Sequence, residues 1–282
     1  MQIKYQDVNF IYHAKTPFQS EALKNVNVVF NHPGITTIVG KTGSGKSTLA
    51  SLINYLTTPT SGQVNVDDFI NAPRERHKHK EVMNLRRQIG YLFQSAEKQL
   101  FADTVIKDVV FALNNFYPKN KDNLLKAQNA LKLVGLDESF YNRSPLDLSG
   151  GEKKKVAIAG VIAYQPKLLI LDEPTAGLDG FAKKELLLLL KKINATGVAI
   201  IIITHDMDVV LKYADQVVVM MNGEIKKVVA KKEIFKDEVE KYGLISPQLI
   251  EFAKLLKANG KNINLDNITD ISSLIQELRK NE

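Results

Sequence analysis

Several short stretches of this 282-residue sequence carry residue types suited to phosphate and metal chemistry, each beside a strand-like run. Gly40-Lys41-Thr42-Gly43-Ser44-Gly45-Lys46-Ser47 matches GxxxxGK[ST], with the β-branched run Ile35–Val39 before it and a helical stretch, about Lys46 to Tyr55, after it. Glycines let such a loop turn tightly, so that successive backbone N–H groups face phosphate oxygens. The N-terminus of the following helix adds partial positive charge. Lys46 is expected to reach the β- and γ-phosphates and Ser47 to ligate Mg²⁺, with Thr48 completing the nucleotide-binding run. By itself the pattern implies a bound nucleoside triphosphate and leaves kinases, GTPases, helicases and transporters open.

A second acidic site follows. Leu168–Leu171 is an apolar run of buried-strand length that ends in Asp172-Glu173. A carboxylate at the C-terminal tip of a buried parallel strand stands at the ligand end of its sheet. Asp172 is expected to hold Mg²⁺, directly or through water, and Glu173 to polarise an attacking water; the bland alternative is that the pair caps the loop before Pro174. Ile200–Ile203 runs into Thr204-His205, where a neutral imidazole would contact the γ-phosphate. A lone histidine at a strand end is more often structural. Gln94, after Tyr91-Leu92-Phe93, likewise follows a strand and is a candidate ligand of the metal or the water.

These side chains need a scaffold, and the patterning supplies one. Residues 1–30 read as β-rich: Ile3–Val8 alternates and Val26–Phe30 is a further strand. Gln63–Val66 returns as a strand after a turn at Thr57–Gly62. Residues 95–165 are mostly helical, with a face from Leu124 to Val134 closed by Gly135. Strand signals at Leu168–Leu171, Val198–Ile203 and Gln216–Met220 alternate with helical patterns, the rhythm of a parallel sheet with crossovers. The fold class expected is α/β, in two parts: residues 1–230 as the nucleotide-binding domain and 231–282 as a helical extension. In the extension Ser246-Pro247 is expected to cap one helix, ended by Gly260, and Asp270 to cap the last.

Composition narrows the function class. Hydrophobic residues make up 44% and charged residues 24%, as in an ordinary globular protein, and no run of about 18 apolar residues is present to span a bilayer. The start Met1-Gln2-Ile3-Lys4-Tyr5 lacks a signal-peptide core, so a cytoplasmic location is expected. Zero cysteines exclude disulfides, thiolate metal sites and cysteine nucleophiles. The net charge of +7 comes from short scattered runs such as Arg74–Lys80 and Lys226–Lys232, without interleaved aromatics for stacking bases; a solvated surface is expected, and no nucleic-acid partner.

Leu148-Ser149-Gly150-Gly151-Glu152, followed by the helical Lys153–Tyr164, resembles the signature motif of ABC-type ATPases. Gly40–Ser47, Gln94, this signature, Leu168–Glu173, Ala176-Gly177-Leu178-Asp179 and His205 come in that family's order. The resemblance implies a P-loop ABC-type fold with an N-terminal β subdomain and a helical subdomain at about 95–165, and ATP with Mg²⁺ as ligands. It implies that Tyr12 stacks on adenine, although Tyr12 also reads as a strand-end tyrosine. It implies that Ser149, Gly150, Gly151 and Glu152 cover the γ-phosphate of ATP bound to an opposite subunit, with Asp179 at the interface between them. Each chain would then supply half of each site. One departure stands out: Glu152 occupies the position where the family usually has Gln, which puts equal activity of the two composite sites in doubt.

Further stretches resemble the second ATPase subunit of the energy-coupling factor transporters, a family taking up vitamins and metal ions. They are Thr16-Pro17-Phe18 with Ala22-Leu23, the segment Phe93–Phe101 with Ala96 where proline is common, Val156–Val161, Glu233-Ile234-Phe235 and the amphipathic C-terminal extension. This resemblance implies a heterodimer with a second, homologous ATPase, an integral membrane scaffold subunit, a substrate-binding membrane subunit, and a place at the cytoplasmic face of the membrane. The extension would contribute to ATPase pairing, or only pack on its own domain. The alternatives are a conventional ABC importer or exporter ATPase, a non-catalytic regulatory ATP-binding subunit and a soluble ABC ATPase acting on DNA or in translation. Intact Asp172, Glu173 and His205 argue against the regulatory subunit, and the lack of a long coiled-coil insertion or a second ATPase half argues against the soluble ATPase.

Overall fold

The computed structural model describes residues 1–236 and 238–280. Strands β1 (Ile3–Tyr12) and β2 (Ser20–Phe30) open the chain, and β3 (Ile35–Val39) leads through the glycine loop into α1 (Lys46–Ile53). β4 (Ser61–Val66), β5 (Phe69–Asn71), α2 (His79–Gln88) and β6 (Ile89–Leu92) follow. Next come α3 (Val105–Phe116), α4 (Asn123–Leu133), the single turn α5 (Glu138–Tyr141) and α6 (Gly150–Ile162). β7 (Leu168–Asp172), α7 (Gly180–Ala195), β8 (Ala199–Thr204), α8 (Met207–Tyr213), β9 (Gln216–Met221) and β10 (Glu224–Ala230) complete the sheets. α9 (Lys231–Ile234), α10 (Gln248–Ala258) and α11 (Ile271–Arg279) close the chain.

The strands form two sheets. The smaller is antiparallel, in the order β2-β1-β4-β5. The larger runs β10-β9-β3-β8-β7-β6 and is parallel apart from β10 at one edge. β3 and β7 are buried along their whole length. That is why they read as continuous apolar or β-branched runs, whereas half-exposed β1 alternates. The alternation in β1 slips one residue between Tyr5 and Val8, where the register shifts and Asp7 adopts φ 50°.

One hydrophobic core fills the space between the two sheets around α1, with Tyr5, Leu23, Leu49, Ile53, Ile170 and Ile203. A second lies on the other face of the large sheet, where Leu169 and Ile202 meet the helical layer of α3, α4, α6 and α7. Full burial of such Leu and Ile side chains stabilises by about 1.5–3 kcal/mol each before chain entropy is set against it. A third core joins α8 and β9 to the C-terminal segment through Ile234, Phe235, Leu244, Ile250 and Leu274. The C-terminal segment therefore packs on α8 and the edge of the large sheet. Its reach is specific: Gly243, at φ 70°, lies against the Lys41 side chain, and a Cβ there would come within 1.9 Å of Lys41 Cε.

Asp270 caps α11 as its sequence suggests, accepting from the Ser273 N–H at 2.8 Å. The preceding helix differs from expectation. α10 begins at Gln248, with Pro247 as the extended N-cap residue and no side-chain cap; the Ser246 hydroxyl is buried and makes no hydrogen bond. Among the described residues no helix is long and apolar enough to cross a membrane. The expected extension spans residues 231–282, and its Asp237, Asn281 and Glu282 lie outside the described residues.

Candidate nucleotide site

Sheet register assembles the site. Val39 pairs with Thr204, Asp172 with Ile203 and Leu92 with Leu171, so the strands preceding the glycine loop, His205, Glu173 and Gln94 end side by side. The C-terminal edge of a parallel sheet is where crossover loops leave room for a ligand. A cavity of about 330 Å³ lies there, lined by Tyr12, Gly43, Lys46, Ser47, Gln94 and Glu173 among others. Thr42, Gly45, Thr48 and Asp172 also line it.

The loop's glycines are there for space as well as flexibility. Gly45, the residue before α1, has φ 97°, and a Cβ on it would lie 2.4 Å from the Ala22 carbonyl oxygen of β2. Lys46 is buried and donates to the carbonyls of Gly40 at 2.8 Å and Lys41 at 2.9 Å. Burial pushes its pKa down, and the nearby carboxylates of Glu173 and Asp172 oppose that shift. Asp172 is also buried. Desolvation raises its pKa; a hydrogen bond from Ser47 lowers it, Glu173 raises it and Lys46 lowers it. The Ser47 hydroxyl and the Asp172 carboxylate thus sit together as hard oxygen donors, the donor chemistry that Mg²⁺ takes alongside phosphate oxygens and water.

Glu173 continues the β7 line by donating its N–H to the Ile203 carbonyl at 2.9 Å, yet its φ is 45°. A left-handed backbone at a non-glycine residue is uncommon and stores strain, a feature that clusters at functional sites. The turn aims the carboxylate at His205, whose Nδ1 lies 2.8 Å from Glu173 Oε1. The Thr204 hydroxyl approaches the other carboxylate oxygen at 3.5 Å.

Tyr12 stands at the mouth of the cavity, 43% exposed, with its hydroxyl 2.9 Å from Thr48 Oγ1 and its ring edge-on to Phe10. Sequence reasoning missed Ser20, Glu21 and Ala22, which line the cavity beside it. The signal that finds them is hairpin register, since Tyr12 pairs with Ser20 and Ile11 with Glu21.

The signature residues are elsewhere. Ser149 is the N-cap of α6, with Gly150 and Gly151 in its first turn. Ser149, Gly151 and Glu152 line a separate cavity of about 210 Å³ that shares no residue with the phosphate cavity. Glu152 forms a capping box: its Oε2 accepts from the Ser149 N–H at 2.8 Å, and its own N–H donates to Ser149 Oγ at 3.3 Å. These bonds hold its carboxyl below the usual range. Asp179 is the N-cap residue of α7, its carboxylate accepting from the Ala182 N–H at 2.8 Å. Lys154 of α6 ties the two regions together by donating to the Ala176 carbonyl at 2.8 Å, with Glu97 of the segment after Gln94 acting on it electrostatically.

The ABC transporter family profile matches residues 23–176. The chain belongs to the ABC transporter family. It is 43% identical over 262 residues, 92% of this chain and 93% of the relative, to an energy-coupling factor transporter ATP-binding protein, EcfA2, of Streptococcus pneumoniae. That likeness puts it in the energy-coupling factor branch, as an ATPase subunit whose hydrolysis is coupled to transport. Among solved structures it resembles cbiO1 of Clostridium perfringens, part of the ABC transporter complex cbiONQ, at TM-score 0.74 and 35% identity over 90% of this chain and 98% of that one. It also resembles a dimeric post-hydrolysis ATP-binding cassette bound to ADP and Pi, at TM-score 0.72 and 30% identity over 81% of this chain and 98% of that one. The α/β ABC-type fold expected from the sequence is the fold observed.

Proposed function

We propose that this chain is one of two different ATPases in an energy-coupling factor transporter, at the cytoplasmic face of a membrane, driving uptake of a vitamin or metal ion. The observation that carries the reading is the division of the ATP machinery within one chain. The phosphate cavity and the signature cavity have no lining residue in common. A second ATPase that brings its own signature to this phosphate cavity, and its own phosphate loop to this signature, completes both sites.

In this reading the loop from Gly40 to Gly45, with Lys41 and Ser44, wraps the phosphates with backbone N–H groups while Lys46 exchanges its carbonyl partners for phosphate oxygens. Tyr12 offers a ring face to adenine. Ser47, Asp172 and Gln94 hold Mg²⁺, which when bound neutralises phosphate charge. Glu173 orients a water and takes its proton. His205, in contact with that carboxylate, steadies its direction. Ser149, Gly150 and Gly151 present an α6 N-terminus to the partner's ATP, and Asp179 links the two sites.

Two surfaces support the assembly. Phe93, Phe101, Phe111 and Leu146 are exposed apolar side chains in the segment after β6 and the helical layer, with Phe101 and Phe111 packed edge to face at 4.8 Å; they suit docking of an integral membrane scaffold. In the 231–282 extension Phe252, Leu255 and Ile271 are exposed as well, and they suit pairing of the ATPases. Substrate choice rests with a separate membrane subunit. A tagged chain recovered from native membranes in mild detergent is expected to bring a second ATPase, a polytopic scaffold and a small substrate-binding membrane protein. Recovery of a conventional importer or exporter would overturn the branch-specific partners.

A further inference from the structure

A larger cavity than the phosphate site, about 840 Å³, opens between α7, α8, α9 and the start of α11. Its floor is apolar, with Leu187 and Val209 both buried, and Tyr213 stands beside them. Five lysines line it, three from α7 (Lys183, Lys184 and Lys191), Lys212 from α8 and Lys231 from α9. Lys184, Leu187 and Lys191 share one face of α7, and Asp208 and Lys212 share one face of α8, by helical spacing.

Against the five lysines the lining itself carries two carboxylates, with Asp206 and Asp215 alongside, so positive charge is in modest excess. Asp208 and Asp270 are the carboxylates among the lining residues, and Asp270 is engaged as the α11 cap. Asp206, nearby, is paired with Lys183. Lys231 is half-buried; desolvation lowers its pKa, Asp215 counters that, and Lys191 adds to it. Two ammonium groups therefore repel each other across one cavity while Lys184 and Lys212 face it too. Lys184, Lys191 and Lys212 are exposed, and lysines gathered from three separate helices leave an excess of positive charge at the cavity that attracts an anion. The volume falls in the range of small-molecule sites, roughly 300–1,000 Å³. A mixed lining with an aromatic ring and several ammonium groups suits a phosphorylated organic molecule.

We propose that this cavity is a second ligand site, distinct from the ATP site, for a small soluble molecule carrying a di- or triphosphate. Its place gives it a route to the ATPase. Gly180, which lines the cavity, follows Asp179 directly, and Lys183 binds the Asp206 that caps α8 next to His205. A phosphate drawing on Lys183 competes with Asp206 and loosens the segment holding His205.

Inorganic tripolyphosphate tests the site by calorimetry on the full chain, with the phosphate loop first saturated by Mg²⁺ and a non-hydrolysable ATP analogue. The wild-type chain is expected to bind one equivalent, and Lys191→Ala with Lys212→Ala to weaken binding by roughly tenfold per lysine, while analogue affinity stays unchanged. No wild-type binding beyond the phosphate loop, or equal binding in the double variant, overturns the site. A parallel arm uses phosphatidylglycerol vesicles. Lysine-dependent vesicle binding without tripolyphosphate binding assigns the cavity to lipid headgroups and overturns the soluble ligand. Unchanged analogue affinity keeps this test separate from the ATPase reading.

Discussion

The phosphate cavity and the signature surface are built from the same kinds of parts and differ in completeness. At the first, four strand ends, a hairpin and a helix start converge, and charges answer one another, Lys46 against Asp172 and Glu173, while the Ser47 hydroxyl bonds to Asp172. At the second, the α6 N-terminus stands at the surface with its own capping box beside the start of α7. A ligand site that closes on itself needs convergence from several elements. A site that presents one helix end needs another molecule to bring the rest. The difference predicts that substitutions in the two regions fail in different ways.

The largest effect belongs to Lys46→Ala. It removes the cation at the phosphates and leaves Asp172 and Glu173 facing each other without it. Turnover of the assembled transporter is expected to fall about 10³-fold, with nucleotide binding to the isolated chain also weakened. Unaltered ATPase activity would reject the phosphate cavity as the catalytic one. Glu173→Gln comes next. The amide keeps the size of the side chain and cannot take a proton, so turnover should fall about 10²–10³-fold while ATP affinity stays near wild type. A measured loss of affinity equal to the loss of turnover would make Glu173 a binding group and not the base.

Ser149→Ala sharpens the contrast. Ser149 touches nothing in the chain's own phosphate cavity, so nucleotide binding by the isolated chain should be unchanged. Loss of the N-cap bond to Glu152 should lower stability by about 1 kcal/mol, seen in Tm, and turnover of the assembled pair should drop about tenfold. If binding to the isolated chain weakens alongside turnover, the two regions are not separate half-sites.

The same contrast explains what could be read from the sequence. The glycine loop, the Asp172-Glu173 pair and the signature are contiguous, so their chemistry is visible in the order of residues. Buried β3 and β7 announce themselves by continuous β-branched or apolar runs. Ser20 and Glu21 reach the cavity only through hairpin register, which a strand pattern does not specify. α2 passed unread because Leu85 is its one buried residue, so its sequence shows no apolar face. β10 carries lysines on a half-exposed edge strand. The lysine cavity escaped for another reason: Lys184, Lys212 and Lys231 belong to different elements, and their runs look like a solvated surface until three helices bring them together.

Glu152→Gln gives the smallest effect and the most pointed one, because its sign should differ between the isolated chain and the assembly. In the isolated chain the carboxylate is favourable. It accepts from the Ser149 N–H, complements the α6 dipole, and has its pKa lowered by those bonds. A carboxyl depressed in the fold contributes stability above its unfolded pKa and loses it as pH falls through the folded value. The wild-type chain should therefore lose Tm on acidification through the carboxylate range slightly more than Glu152→Gln, which at neutral pH is itself less stable by ~1 kcal/mol or less. Across an interface the same negative charge stands at the helix end that would receive the partner's γ-phosphate, and it offsets part of the attraction. Removing it should tighten ATP-dependent pairing of the two ATPases by roughly 2–5-fold, read as a lower ATP concentration for half-maximal association. If pairing is unchanged while the acid sensitivity is lost, Glu152 serves the helix and the partner's nucleotide does not sense it.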